Sequence, residues 1–222
     1  MCGRYTINIG RARFEAVYNT QAPLEFAQSW NVAPTKAAPV IRTADDGLEA
    51  SMMRWGFERS AKHKGAPIIN ARAETVMELP TFASSFKQRR CLIPATGWYE
   101  WRVIDGKKQP YYLTREDSEP LAFAGIWTPG EAADRYAVIT TRADGAIAQI
   151  HDRTPVILER ERWKVWLSDA PLSELEAMLE PIDVKGLEYY PVSSRVGNYK
   201  NDDSSLIKSL EDEENLFSVR PE

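Results

Sequence analysis

Residues 98–114 constrain the fold more than any other stretch. Positions 98–104 alternate in character, Asp105-Gly106 is a turn dipeptide, and 111–114 return as an apolar-aromatic run, so the segment predicts a β-hairpin. Trp98, Glu100 and Arg102 fall on one face of it, and Tyr99, Trp101 and Val103 on the other. Similar short runs predict strands at 3–9, 38–43, 48–55, 68–72, 91–94, 121–127, 136–141 and 188–193, with Asp45-Asp46-Gly47 turning the second into the third. On the first strand, Tyr5, Ile7 and Ile9 read as the apolar face, with Cys2 and Arg4 on the polar one. Helical patterns are few and short: 11–19, 81–88 with Thr81 as cap, a turn at 145–150, and 159–168 and 172–180. Trp163 and Trp166 recur at helical spacing and read as core. Strands therefore outnumber helices, and the expectation is an α+β single domain built on a curved antiparallel β-sheet or barrel with peripheral short helices.

At 222 residues, with 43% hydrophobic and 27% charged content, the chain has the size and balance of one folded domain. No window holds eighteen consecutive apolar residues and no signal-peptide pattern opens the chain, so a cytoplasmic protein is expected. Two cysteines, Cys2 and Cys91, and two histidines, His63 and His151, make a structural metal site improbable, and neither metal nor cofactor is expected. The net charge of −4 is concentrated in residues 209–222; the preceding 208 residues balance 27 basic against 27 acidic side chains. This division predicts a folded body over 1–208 and an acidic tail over 209–222. A neutral body permits a local basic groove without requiring one.

Four segments invite chemistry. Met1-Cys2-Gly3-Arg4 would leave Cys2 as the N-terminal residue after removal of the initiator, with an amine and a thiol on one carbon framework. A free α-amine has a pKa of ~7.7–8.0 against ~10.4 for lysine, so far more of it is neutral and nucleophilic at pH 7.5. Glu100 lies among Trp98, Tyr99 and Trp101, where a carboxyl is either a proton carrier of raised pKa or a solvent-facing hairpin residue. His151, between Ile150 and Asp152-Arg153, suits either a proton shuttle or a loop hydrogen bond. Asn70 and Arg72 would share one face of an extended segment and could orient a nucleophile and hold a phosphate, or lie on the surface.

Taken together, these segments are more specific than any of them singly. Met1-Cys2-Gly3-Arg4-Tyr5, Asn31-Val32-Ala33-Pro34, Arg54-Trp55-Gly56, Ile69-Asn70-Ala71-Arg72-Ala73-Glu74-Thr75, Cys91-Leu92-Ile93-Pro94-Ala95, Gly97-Trp98-Tyr99-Glu100-Trp101, His151-Asp152-Arg153-Thr154-Pro155 and Val196-Gly197-Asn198-Tyr199-Lys200 occur in that order. The chain thereby resembles the SOS-response-associated peptidase (SRAP) family of abasic-site processing proteins, from Cys2 to about Lys208. The resemblance implies capture of abasic sites in single-stranded DNA, shielding the lesion as a covalent DNA–protein crosslink. The Cys2 amine would form an imine with the open-chain aldehyde, and the thiol would close a thiazolidine. Asn70, Glu100 and His151 match the family's orienting, proton-transfer and abasic-site stabilising positions. Arg4, Arg72 and Arg153 are the expected phosphate contacts and Trp55 the expected stacking surface. No membrane partner is expected, and the working unit is expected to be a monomer. Self-removal of Met1 by the same cysteine is compatible with the family's peptidase name. The competing expectation is an N-terminal-nucleophile cysteine amidohydrolase or peptidase that acts on amides.

Overall fold

The computed structural model describes residues 2–59, 65–181 and 186–210. His63 and the expected tail from 211 onward lie outside those residues. Among the described residues, twelve strands form two sheets. The first takes β1 (Tyr5–Ile7), β2 (Ser29–Val32), β7 (Gly97–Ile104), β8 (Lys107–Arg115) and β12 (Leu187–Pro191), in the order β12-β8-β7-β1-β2. The second takes β3 (Ala37–Ala44), β4 (Gly47–Trp55), β5 (Asn70–Arg72), β6 (Arg90–Ala95), β9 (Leu121–Thr128), β10 (Arg135–Arg142) and β11 (Arg153–Pro155). Within it β10 pairs with β4 on one side and β9 on the other, so the sheet bends back on itself. Helices α1 (Arg11–Tyr18), α2 (Pro80–Gln88), α3 (Trp163–Leu167) and α4 (Leu172–Ala177) are short, as the α+β expectation required.

Three features differ from the pattern-based expectation. The strands are not all antiparallel, because β10 runs parallel to β4 and to β5. Nor is β1 half-exposed: Tyr5, Thr6 and Ile7 are all buried. Alternation failed there because the polar Thr6 is satisfied inside the protein, its hydroxyl 2.7 Å from that of Thr96 and 2.8 Å from that of Tyr112. At α2 the cap also differs. Leu79 occupies the N-cap without a side-chain bond, and Pro80 opens the helix, since a missing N–H costs nothing in the first turn.

Aromatic side chains join the two sheets. Tyr5 meets Trp55 edge-on at 5.2 Å and Phe123 at 6.0 Å, and its hydroxyl lies 2.7 Å from that of Tyr136. Trp98 meets Phe123 at 5.9 Å. Trp166 is fully buried and donates to the Cys91 carbonyl at 2.9 Å, in keeping with its expected core role. Across the far side, buried Asn31 on β2 donates to the carbonyls of Val196, Asn198 and Asn201 at 3.1, 3.2 and 2.8 Å. One amide thus ties the segment 196–201 to β2. An isolated bridge between Val192 and Ser209 carries the folded body to residue 209.

Candidate active site

The start of the chain lies along β7. Tyr5 pairs with Trp98, and the Tyr99 N–H donates to the Arg4 carbonyl at 3.0 Å, which carries Cys2 and Gly3 back toward Glu100. Cys2 has no accessible surface, and its thiol leans toward the Arg4 carbonyl at 3.9 Å. From the other sheet, β5 lies parallel to β10 with Asn70 opposite Val138, and the Asn70 amide donates to the Cys2 carbonyl at 2.8 Å. The Asn70 side-chain oxygen is buried with no hydrogen-bond partner.

Glu100 sits on β7 with 2% of its surface exposed. Burial is the main cause that raises its carboxyl pKa to about 7, so the proton is evenly held near neutrality. Burial, and next the nearby Glu100 charge, push the Cys2 thiol well above its ordinary range. His151 follows a single 3-10 turn (Ile147–Gln149), its own N–H bonded to the Ile147 carbonyl at 3.0 Å. Its Nε2 stands 4.0 Å from Glu100 Oε2. Burial lowers its pKa, which favours the neutral ring.

The other ring nitrogen has two neighbours that ask for opposite protonation states. Nδ1 accepts from the Arg153 N–H at 2.9 Å and also lies 2.9 Å from Asp152 Oδ1. In the neutral ring the backbone N–H wins, because it is fixed in the chain whereas the Asp152 carboxylate is 86% exposed and solvated. That inference places the imidazole hydrogen on Nε2, facing Glu100. In the protonated ring Asp152 becomes the natural acceptor.

The arginines expected to contact phosphate differ in their freedom. Arg72 is exposed, and Arg4 is partly buried with its Nε unpartnered and one guanidinium nitrogen bonded to the Gly3 carbonyl at 2.8 Å. Arg153 is held by Glu74 through two nitrogens, at 2.5 and 2.9 Å, and by the Thr140 carbonyl at 2.6 Å. Glu74 entered the sequence reading only as part of a motif; its pairing with Arg153 joins segments 79 residues apart. The structure corrects the expectation for Trp55. Its ring has no exposed surface, lies parallel to Tyr136 at 6.1 Å and donates to the Ile69 carbonyl at 2.9 Å, so it offers no face to a base.

Glu100 lies on β7 of the five-stranded sheet and Cys2 just ahead of its β1, while Asn70 and His151 are positioned by segments that flank β10 of the other. The site is therefore a product of sheet-on-sheet packing. Among the described residues, no group of three His, Cys, Asp or Glu side chains is arranged to hold a metal, and no helix is long and apolar enough to cross a membrane.

The fold is thus a two-sheet α+β domain whose seam gathers a thiol, a carboxyl tuned to neutrality and an imidazole. A family model, SOS response associated peptidase (SRAP), matches residues 1–199, and the chain belongs to that family. It is 36% identical over 223 residues to the abasic site processing protein YoqW of Bacillus subtilis, spanning 94% of this chain and 100% of that one. To the abasic site processing protein YedK of Escherichia coli it is 30% identical over 224 residues, spanning 95% and 100%. A crystal structure of a Bacteroides thetaiotaomicron protein shares the fold, with a TM-score of 0.81 at 23% identity over 94% of this chain and 99% of that one.

Proposed function

We propose that this protein captures abasic sites in single-stranded DNA, as a monomer, through Cys2 once Met1 has been removed. The observation that carries the reading is the convergence of Cys2, Asn70, Glu100 and His151, from four separate segments, on the beginning of the chain. The relatives' abasic-site names point the same way.

The chemistry needs no oxidant or cofactor. The neutral Cys2 amine adds to the aldehyde of the ring-opened sugar, and water leaves as the imine forms. The S–H bond then adds across C=N, with sulfur to carbon and the proton to nitrogen, closing the thiazolidine. Each step moves one proton, and a carboxyl of pKa about 7 can give or take it at neutrality. Glu100 is assigned to protonate the departing hydroxyl and to relieve the thiol of its proton. The Nε2–H of His151, facing the same carboxyl, stabilises the sugar oxygen as the ring opens. Asn70 fixes the Cys2 backbone. Arg4 and Arg72 are the phosphate contacts, and Arg153 serves mainly by aligning His151.

Intact mass before and after exposure to an abasic oligonucleotide tests the proposal. Protein beginning at Cys2 should gain one oligonucleotide less one water, in a bond that survives denaturation without reductant. Cys2→Ser should yield only an adduct that borohydride must trap. A stable adduct from Cys2→Ser, or none from the wild type, would overturn the mechanism.

A further inference from the structure

The hairpin of β7 and β8 extends beyond its sheet. β1 and Arg4 before it bond β7 only over Gly97–Tyr99, and β12 with Val192 after it bonds β8 only over Pro110–Arg115. The register from Arg102↔Gln109 to Ile104↔Lys107 is therefore a two-stranded arm with no third strand among the described residues, and residues 102–108 are all exposed. A free arm of this kind is costly to keep without a partner, because an isolated hairpin is marginal in water.

Its two faces differ. Side chains alternate along a strand, and directly paired residues share a face. Arg102 and Ile104 therefore continue the face of Glu100, and Lys107, opposite Ile104, joins them. Lys108, opposite Val103, lies on the other face. Arg102, Lys107 and Lys108 form no ion pair among the described residues, unlike Arg115 at the other end of β8, which sits against Asp117. Two of the arm's three cations thus lie on the Glu100 face, which leads away from that carboxyl.

We propose that the Glu100 face of the arm, through Arg102 and Lys107, binds the phosphodiester backbone of the DNA beyond the nucleotide held in the site. This rests on the functional reading above and extends it to a second, non-covalent subsite. From Glu100 to Ile104 the strand rises about 14 Å at ~3.4 Å per residue, long enough to lie beside more than one phosphate of a single strand. The arm lacks an exposed aromatic ring, so charge rather than base stacking is its means of contact, and recognition there is independent of base sequence.

The paired variants Lys107→Glu and Lys108→Glu test it, because both change net charge equally and only the first lies on the Glu100 face. Binding of an unmodified 20-nucleotide strand is measured by anisotropy from 50 to 200 mM salt. Lys107→Glu should weaken binding about fivefold or more and lower the salt slope by about 0.7, the loss of one phosphate contact. Lys108→Glu should stay within twofold of wild type. On an abasic strand trimmed to one nucleotide either side, crosslinking by Lys107→Glu should match wild type. Equal losses in both variants, or none in either, would overturn the proposal. Absence of any crosslink from wild type would instead refute the covalent reading and leave the binding comparison intact.

Discussion

Glu100 shows how one residue's surroundings set both reactivity and stability. Its folded pKa, raised to about 7 chiefly by burial, lies above the ~4.3 of an unfolded chain, so the native state holds the proton more tightly. Its favourable contribution is complete below about pH 4 and is lost as pH rises through 7, which leaves a cost of about 3 kcal/mol at pH 8. Glu100→Gln should therefore raise the Tm at pH 8 while changing little at pH 4.5, as calorimetry at the two pH values will register. A variant no more stable at pH 8 than wild type would mean that the carboxyl is not desolvated. In crosslinking, the protonated acid falls away above pH 7 while the neutral amine falls away below its pKa of ~7.7–8.0, so the wild-type rate should peak near about pH 7.4. Glu100→Gln should be about 10²-fold slower and lack the alkaline limb.

Among elements, the packing of β7 against β8 leaves no room at Gly97. Gly97 carries no positive φ; what it needs is space. A Cβ there would stand 2.4 Å from the Tyr112 ring carbon and hydroxyl and 2.6 Å from the Leu113 carbonyl. Gly97→Ala must push Tyr112 away and break its bond to Thr6, a cost of about 2–3 kcal/mol or more from overpacking and a lost buried hydrogen bond. A urea midpoint unchanged by this substitution would show that this packing can relax. The turns of the β3–β4 and β7–β8 hairpins were legible in residue order alone, because Asp-Asp-Gly and Asp-Gly restrict the backbone locally. The burial of β1 was not, because the partners of Thr6 lie 90 and 106 residues away.

For the whole molecule, Asn31 is one tie between β2 and the segment 196–201. Asn31→Leu would strand the Val196 and Asn201 carbonyls, at about 1 kcal/mol each, while the Asn198 carbonyl keeps the Asn201 N–H at 3.0 Å. The expected outcome is a loss of about 2 kcal/mol and faster amide exchange confined first to residues 196–201, followed by hydrogen-exchange mass spectrometry. Uniform acceleration across both sheets would instead make Asn31 part of the global core. The sequence by itself determined the class of fold, most strand positions and the candidates Cys2, Asn70, Glu100 and His151, because period-two patterns, turn residues and motif chemistry are properties of neighbouring residues. Tertiary structure alone decided that Trp55 is core, that Arg153 belongs to Glu74, and that Glu100 is dry enough to titrate near 7. Those outcomes depend on which distant surfaces exclude water from a side chain, and exclusion is settled only when the two sheets close on each other.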